Sequence, residues 1–347
     1  MAYGIKALRK LQFGREATAG TAIAATTVWR GEGTLEDTRS VQFPVEDIGL
    51  LPITTRSYQP LLGARLQLSA TPATFEQLPH IFEMGIKGTT AGTSDGAGSD
   101  YIYTYTMPTS SSLSMYVTPT TSSNPIKTYT IEGGDNQQAE RMEFSFVTDF
   151  ELSFKAGEAL MVSATIDGRQ VSLNAFTSST ITTTPTVYEI LTSKAKLYID
   201  STTATIGTTQ VTNELLAGSI KVKTGIKAIP TADGNLYFSF IKGTRPEVTM
   251  DLTFEHSTNA IAEKVFWRAG TPRQFRLDFI GNTLTSAGTL YSTKKLLVDM
   301  AGTYEKFGAL GDEDGDDIYV ATVRAGYNAT AALFTKFVVV NELSSIP

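Results

Sequence analysis

The sequence contains no cysteine in its 347 residues. Disulfide frameworks, cysteine–zinc sites and thiol nucleophiles are therefore excluded, while the cellular compartment is left open. Histidine and tryptophan each occur only twice. No stretch approaches the roughly 18 consecutive apolar residues of a transmembrane helix, and the first residues lack the apolar core of a signal peptide. We therefore expect no contact with a membrane.

Charged residues are also sparse, at 18% of the chain, and the formal net charge is −6. A general nucleic-acid binder needs dense lysine and arginine to displace the counterions of phosphates. This charge balance instead suits a surface that stays soluble and mildly repels polyanions.

Strand-forming residues dominate the composition. The chain has 51 threonines, 18 phenylalanines and 14 tyrosines, and its turn-forming residues are spread along the whole length. This composition is typical of β-strands. We predict a mainly β protein, and the length suits two domains of ordinary size.

One order of elements occurs twice in the sequence. An alternating strand over 64–69 precedes a helix that Thr74 can cap and that ends near Gly85. A second alternating strand over 248–254 precedes a helix over 259–270. The two copies lie about 185 residues apart, which indicates a duplication.

The rest of each half is matched more loosely. We match the later strands at 288–300, 318–323 and 333–341 to the segments at 101–106, 142–154 and 160–166. The sequence therefore predicts two tandem β-sandwich or barrel domains, each with a short flanking α-helix, over residues 1–180 and 181–347.

Two segments are apolar but show no regular period. Residues 5–25 are interpreted as an extended arm, and residues 41–62 as a loop too apolar for free solvent. Loops of this length are usually functional or disordered. We expect the apolar side chains of the longer loop to contact a partner; they are Val45, Ile48, Leu50, Leu51, Ile53 and Tyr58.

The candidate sites for chemistry are weak. His80 has Glu76 and Glu83 at helical spacing, and His256 follows Glu255, but a zinc site needs more ligands than these. The acidic run over 311–317 offers Asp312, Asp314 and Asp316 as a weak divalent-ion site, with a solvated turn as the alternative. An EF-hand would need a distal glutamate and flanking helices, which the pattern lacks.

No catalytic motif is present. The sequence has no phosphate-binding loop, no Gly-x-Ser-x-Gly elbow and no dinucleotide-binding glycine pattern after a strand. The carboxylate pair Glu143 and Glu151 has no recognisable cleft around it. We predict a protein that is not an enzyme and that needs no cofactor.

A set of short motifs, in order along nearly the whole chain, resembles the major tail tube proteins of long-tailed bacteriophages. Its members are Gly4-Ile-Lys-Ala-Leu, Gly14-Arg-Glu with Gly20-Thr-Ala, Tyr103-Thr-Tyr-Thr-Met-Pro, Thr128-Tyr-Thr-Ile-Glu-Gly-Gly, Gly168-Arg169, the acidic turn at 311–317 and the closing strand before Asn341.

The resemblance implies a structural subunit whose rings stack into a DNA-conducting tube. A duplicated subunit implies a homotrimeric, pseudo-hexameric ring in the virion tail, assembled in the host cytoplasm. The implied partners are other copies, the tail terminator, tape measure and tip proteins, and DNA that passes without sequence-specific binding. The loop over 41–62 and the arm over 5–25 would then supply contacts between rings.

A tube of this kind needs a polar lumen, and two alternating strands offer one wet face each. The candidate lumen residues are Glu247, Thr249, Asp251, Thr253 and Glu255 on one strand and Glu143, Ser145, Glu151 and Ser153 on the other. An outer, solvent-facing surface is the alternative for either strand.

Two other classes of function remain open at this stage. One is a different structural protein of a virion or cell surface, such as a decoration or fibre protein. The other is a glycan-binding β-sandwich module, or an enzyme of that architecture.

Overall fold

The structure is a computed structural model, and it describes residues 3–52, 55–87, 91–109, 126–177 and 186–347, with the backbone of 116–117. Ile53 and the expected domain boundary at residues 180 and 181 lie outside the described residues.

The first half of the chain consists of strands with one short helix. Its elements are β1 (Lys10–Arg15), β2 (Thr27–Trp29), β3 (Gly33–Asp37), β4 (Ser40–Gln42), β5 (Tyr58–Leu61), β6 (Ala64–Pro72), α1 (Leu78–Gly85), β7 (Thr93–Ser94), β8 (Tyr101–Thr106), β9 (Tyr116–Val117), β10 (Tyr129–Gly134), β11 (Ala139–Lys155), β12 (Met161–Gly168) and β13 (Val171–Asn174).

The second half has the same character. Its elements are β14 (Ala195–Ser201), β15 (Gln210–Val211), β16 (Leu215–Lys223), β17 (Ile226–Ile229), β18 (Phe240–Gly243), β19 (Glu247–Glu255), α2 (Thr258–Arg268), β20 (Arg273–Thr283), β21 (Thr293–Phe307), β22 (Gly311–Glu313), β23 (Asp316–Ala325) and β24 (Thr335–Asn341). The predicted mainly β fold is confirmed.

The strand pairings of the two halves match element by element. In the first half β2 pairs with β1, β1 with β10, β10 with β11, and β11 with β12 and β13. In the second half β15, β14, β20, β21, β23 and β24 make the same connections in the same order. The hairpins β4–β5 and β17–β18 also correspond. We call the two halves the first and second repeat.

The match extends to single residues. Phe150 lies opposite Ala164, and Phe307 lies opposite Ala321. Each pair follows a register shift in the long strand, after Val147 in the first repeat and after Tyr304 in the second. Such bulges are specific features of a fold rather than accidents, so these positions are equivalent.

This alignment corrects the looser matching of later strands made from the sequence. The hairpin β20–β21 corresponds to β10–β11, β23 corresponds to β12, and β24 corresponds to β13. The segment with β7 and β8 has no counterpart between α2 and β20. It is an insertion, and its strand β8 pairs with β24 of the second repeat.

The long strands β11 and β21 bend, so that each contributes to two layers. Their second parts join one continuous antiparallel layer in the order β3–β6–β12–β11–β16–β19–β23–β21, with β22 beside β23. We call this the common layer. One of its faces carries alternate buried residues such as Leu152, Ile220 and Met250, and these belong to the main hydrophobic core.

The helix α1 lies at the junction of the two repeats, and all eight of its residues are buried. Thr74 accepts a hydrogen bond from the Gln77 amide, in keeping with the predicted cap, although the helix proper begins at Leu78. The helix α2, capped by Ser257, buries only Ala260 and Glu263. The equivalent helices therefore differ in how much of each is covered.

The expected arm over 5–25 is not one extended segment. Lys10–Arg15 forms β1, which pairs with β10 on one side and β2 on the other. This strand does not show in the sequence pattern, because its four central residues, Leu11, Gln12, Phe13 and Gly14, are all buried. A strand that is covered on both faces does not alternate between apolar and polar residues. Likewise, the predicted loop over 41–62 is partly strand, because the hairpin β4–β5 pairs Ser40 with Leu61 and Gln42 with Tyr58.

Candidate assembly edges and polar face

The common layer ends in two strands that are open on one side. Among the described residues, β3 pairs with β6 alone, and the second part of β21 pairs with β23 alone. An open edge presents unpaired N–H and C=O groups, which is a template for another strand. The two edges belong to opposite ends of the molecule, because six strands separate them.

The same two edges are already joined once inside the chain. The second-repeat equivalent of β3 is β16, since β3 pairs with β6 and β16 pairs with β19. The first-repeat equivalent of the second part of β21 is that of β11. The strands β11 and β16 pair antiparallel from Asp149 opposite Lys223 to Lys155 opposite Ala217.

The direction of the backbone groups agrees with this equivalence. The Thr38 amide donates a hydrogen bond to the Gly63 carbonyl. The backbone N–H and C=O groups of even-numbered residues in β3 therefore point toward β6, and those of odd-numbered residues, including Asp37, point away from it. After β16 the Thr224 amide donates a hydrogen bond to the Thr148 carbonyl, so the backbone N–H and C=O groups of Val222 point toward β11. Val222 is the equivalent of Asp37, and its partner Phe150 is the equivalent of Phe307.

The other face of the common layer is polar. Seven of the predicted lumen residues lie on it: Glu151, Ser153, Glu247, Thr249, Asp251, Thr253 and Glu255. Ion pairs between neighbouring strands connect the side chains of this face. Lys221 lies 3.4 Å from Asp251 and 3.8 Å from Glu151, and Arg65 lies 2.7 Å from Asp167.

The charges on this polar face have both signs, with a small acidic excess. The acidic residues are Glu36, Asp149, Glu151, Asp167, Glu247, Asp251, Glu255, Glu305 and Glu313, and the basic ones are Arg65, Lys155, Lys221, Lys223, Lys306 and Arg324.

Two predicted lumen residues do not lie on this face. Ser145 is fully buried, and Glu143 belongs to the first part of β11, where it accepts a hydrogen bond from Gln170. Phe144 lies between them with φ of 52°, and its amide donates to the buried Glu16. This left-handed residue breaks the alternation, so the residues before and after it do not share one face.

The described apolar residues of the predicted stacking loop are strongly exposed. Val45 is 87% and Leu51 105% exposed, and Ile48, Leu50 and Tyr58 are more than half exposed. The sixth residue, Ile53, lies outside the described part. A loop with this much apolar surface has room for a partner.

The acidic run is a hairpin turn between β22 and β23. Asp312 pairs with Asp317 and Glu313 with Asp316, while Asp314 and Gly315 have positive φ. This pattern is the type of two-residue turn that asparagine or aspartate with glycine favours. Within the described chain no three acidic or histidine side chains form a group that could hold a metal ion.

The histidines have different surroundings. His80 is buried, its Nδ1 lies 3.1 Å from the Tyr129 hydroxyl, and that hydroxyl donates to Glu83. Burial, followed by the charge of Arg15, lowers the pKa of His80 to about 3. His80 is therefore a neutral component of a buried hydrogen-bond network, whereas His256 is exposed beside Tyr319.

No protein-family model matches the chain, and no curated protein matches it significantly. In the described part of the chain, neither helix has the length or the apolar character to cross a membrane. The two open edges and the polar face between them are thus the features on which an assignment of function depends.

The sequence did not single out β3 or the end of β21. One signal was present, however. Gly33 and Gly218 occupy equivalent positions opposite Leu68 and Leu252, and each is followed by a polar and then an apolar residue. Aligning the two repeats around these glycines would have identified β3 as a copy of a central strand.

Proposed function

We propose that this protein is the structural subunit of a bacteriophage tail tube, in which three copies close a ring and rings stack around a DNA-conducting channel. The observation that carries the proposal is the pair of open edges, because the chain already joins their equivalents through β11 and β16. Pairing the end of β21 of one copy with β3 of the next repeats that joint between copies.

The proposed joint has a defined register. Phe307 of one copy lies opposite Asp37 of the next, as Phe150 lies opposite Val222 within the chain. A head-to-tail contact of this kind forms a ring if its rotation closes and a filament if it does not. Since two repeats per chain follow one another through the same joint, three chains supply six equivalent units.

Closure removes both exposed edges and forms a barrel. With eight strands from each of three copies, at a spacing of about 4.8 Å and a tilt of 35–45°, the barrel is roughly 45–50 Å across between opposite backbones. Barrels of 16–18 strands already leave an aqueous channel. The bore is therefore wide enough for a DNA duplex.

The inner surface of this barrel would be the polar face of the common layer. Its mixed charges with a small acidic excess offer no basic stripe on which phosphates could be held, so DNA would pass without strong binding. The exposed apolar loop over 43–57 would contact the adjacent ring. The tail terminator, tape measure and tip proteins are the proposed partners at the ends, and the virion tail is the proposed location.

The sequence motifs that resemble major tail tube proteins support the same proposal independently of the edges. The first test is negative-stain microscopy and light scattering of the purified chain. We expect trimeric rings or tubes with an axial hole. Discrete monomers at high concentration, or spikes without a hole, would overturn the proposal and favour a binding module or a fibre protein.

A single substitution tests the joint itself. Asp37→Pro removes one outward N–H from β3 and leaves the pairing with β6 in place. We expect folded chains that fail to form rings. The matched control, Asp37→Asn, keeps the N–H and should assemble as the wild type does; equal assembly of the two variants would exclude this edge.

A further inference from the structure

The junction between the two repeats is anchored by three aromatic rings. Phe82 of α1 lies 5.5 Å from Phe150 and 4.9 Å from Phe337, and Phe150 lies 5.8 Å from Phe337, measured between ring centroids. All three are buried. Two of the rings come from the first repeat, and Phe337 comes from β24 of the second.

Each of these rings has an equivalent in the other repeat. Phe307 is the equivalent of Phe150, as the shared bulge shows. Trp267 on α2 is the equivalent of Phe82, because it packs on Phe307 at 6.1 Å as Phe82 packs on Phe150. Trp267 also lies three residues before Gly270, just after α2, and Phe82 lies three before Gly85, the last residue of α1.

The third equivalent lies at the far end of the molecule. Val171 pairs with Met142 as Thr335 pairs with Met300, so Leu173 of β13 corresponds to Phe337 of β24. Phe337 is fully buried, whereas Leu173 is 75% exposed. Trp267 and Phe307 therefore form two parts of a three-part cluster, and the apolar residue that would complete it stands on the opposite side of the same chain.

We infer that Trp267 and Phe307 of one copy receive Leu173 of the next copy, as Phe82 and Phe150 receive Phe337 within the chain. The inference rests on the proposed ring. It names a side-chain contact between copies that would stabilise the ring in addition to the pairing of β21 with β3. A few well-packed, desolvated residues near the centre of an interface carry most of its binding energy, and tryptophan is enriched among them.

Charge complementarity supports the same partner. The acidic turn over 312–317 is the equivalent of the turn after β11, since Gly157 and Gly315 both have positive φ between equivalent strands. Within the chain that turn contacts the second repeat, where the Thr192 amide donates to the Glu158 carbonyl.

The equivalent of that contact brings opposite charges together. Thr192–Lys194 is a short 3-10 helix before β14, and its counterpart before β1 is Lys6–Leu8. The acidic turn of one copy is thus placed beside Lys6 and Arg9 of the next, both of which are exposed. These residues line a cleft of about 560 Å³ that also contains Leu11 and Gly33.

A second copy of this chain is therefore the occupant that the equivalent contact within the chain predicts, with its acidic turn facing Lys6 and Arg9. The same cleft also holds Glu32, Asp135 and Glu140. The contact also explains the acidic run, which forms no metal-binding group among the described residues. Pairs of this type at the rim of an interface mainly steer association and set its dependence on salt.

The apolar anchor is tested by Leu173→Asp, with Leu290→Asp as the matched control, because Leu290 is 72% exposed and lies in the turn between β20 and β21, outside both open edges. Size-exclusion chromatography with light scattering reports the oligomer, and circular dichroism reports folding. We expect Leu173→Asp to remain folded and monomeric at concentrations where the wild type and Leu290→Asp form trimers.

The possible outcomes separate the two proposals. Trimers of Leu173→Asp as abundant as those of the wild type would overturn the anchor and leave the proposed function standing. A wild-type chain that never assembles would overturn the proposed function, and the anchor with it, since the anchor needs a second copy.

The charge contact is tested by exchanging signs. Lys6→Glu with Arg9→Glu, or Asp312→Lys with Asp316→Lys, should slow trimer formation at low salt by roughly tenfold. A chain with all four substitutions should recover the wild-type rate, because both signs are reversed together. If the fourfold variant is as slow as either pair, the acidic turn does not lie beside Lys6 and Arg9.

Discussion

The Arg15 guanidinium lies 2.9 Å from the Glu83 carboxylate, which has no solvent exposure, and so ties β1 to the junction helix α1. Replacing Arg15 with Met leaves a buried carboxylate without this partner. We expect a loss of about 3–5 kcal/mol in the free energy of unfolding, measured by urea denaturation.

The comparison for this pair is Arg65→Met, which removes an ion pair with Asp167 on the polar face. Arg65 is half exposed, so solvent screens the pair and the loss should be about 1 kcal/mol or less. Similar losses for the two variants would mean that Glu83 does not depend on Arg15.

Stability should depend on pH through His80. The pKa of His80 is about 3 in the folded chain, against about 6.5 when unfolded, so the unfolded state binds more protons between these values. The stability from this residue is complete above pH 6.5 and falls as pH is lowered, by about 2 kcal/mol at pH 5.

His80→Gln should remove this part of the pH dependence, since glutamine can still donate to the Tyr129 hydroxyl and does not titrate. The measurement is the free energy of unfolding at pH 7 and pH 5. His256→Gln is the control and should keep the wild-type slope. An unchanged slope in His80→Gln would show that the imidazole is not held neutral.

The junction of the repeats should depend on a buried ion pair. Lys294 of β21 lies 2.6 Å from Glu76, and both side chains are only 4% exposed. We expect Lys294→Met to lower the free energy of unfolding by about 3–5 kcal/mol, and Lys294→Met with Glu76→Met to recover most of that loss. Lys155→Met, which breaks an exposed pair with Glu313, should change stability little. A double variant as unstable as the single one would contradict the argument.

The loop over 43–57 should control stacking but not ring closure. Serine at Val45, Leu50 and Leu51 removes exposed apolar surface without touching the strand pairings. We expect single rings in place of tubes by negative-stain microscopy. The control Leu290→Ser, at a 72% exposed position in the turn between β20 and β21, should leave tubes intact. Normal tubes from the triple variant, or from a deletion of residues 45–60, would exclude this loop from the stacking contact.

The sign of the lumen charge should decide whether DNA is retained. Lysine at Glu247, Asp251 and Glu255 makes the polar face basic, and we expect assembled tubes of this variant to hold duplex DNA at low salt and release it as salt rises. Glu143→Lys, which lies off this face, should behave as the wild type does in the same gel-shift measurement. Retention by neither variant would count against a lumen position for the 247–255 strand.

Much of the fold could be predicted from local pattern. The strand over 248–254 alternates because one face meets the core and the other meets water, and β19 has that alternation throughout. Both helices and their terminal glycines were also visible, as was the hairpin that ends in β12. In these elements each side chain faces either the core or the solvent, so the pattern of apolar and polar residues shows the element directly.

The remaining features depend on tertiary contacts that no local pattern encodes. The strand β1 is buried on both faces. Phe144 has a left-handed backbone conformation, in which its amide donates a hydrogen bond to Glu16, a residue far away in the sequence. The residues predicted to line a lumen therefore share one polar face along β19 and the end of β11, whereas Glu143 and Ser145 lie off that face. The open edges became apparent only when pairings, rather than residues, were compared between the repeats.

The in-chain pairing of β11 with β16 has a kinetic consequence for the proposed ring. A ring of six independent units has six joints and takes five diffusional encounters to assemble, whereas duplicated chains make half of those joints within one molecule. A tethered contact forms at an effective concentration in the millimolar range, far above that of a newly made protein. The number of encounters needed falls to two, and the neighbours on either side of each tethered joint are fixed before any encounter takes place.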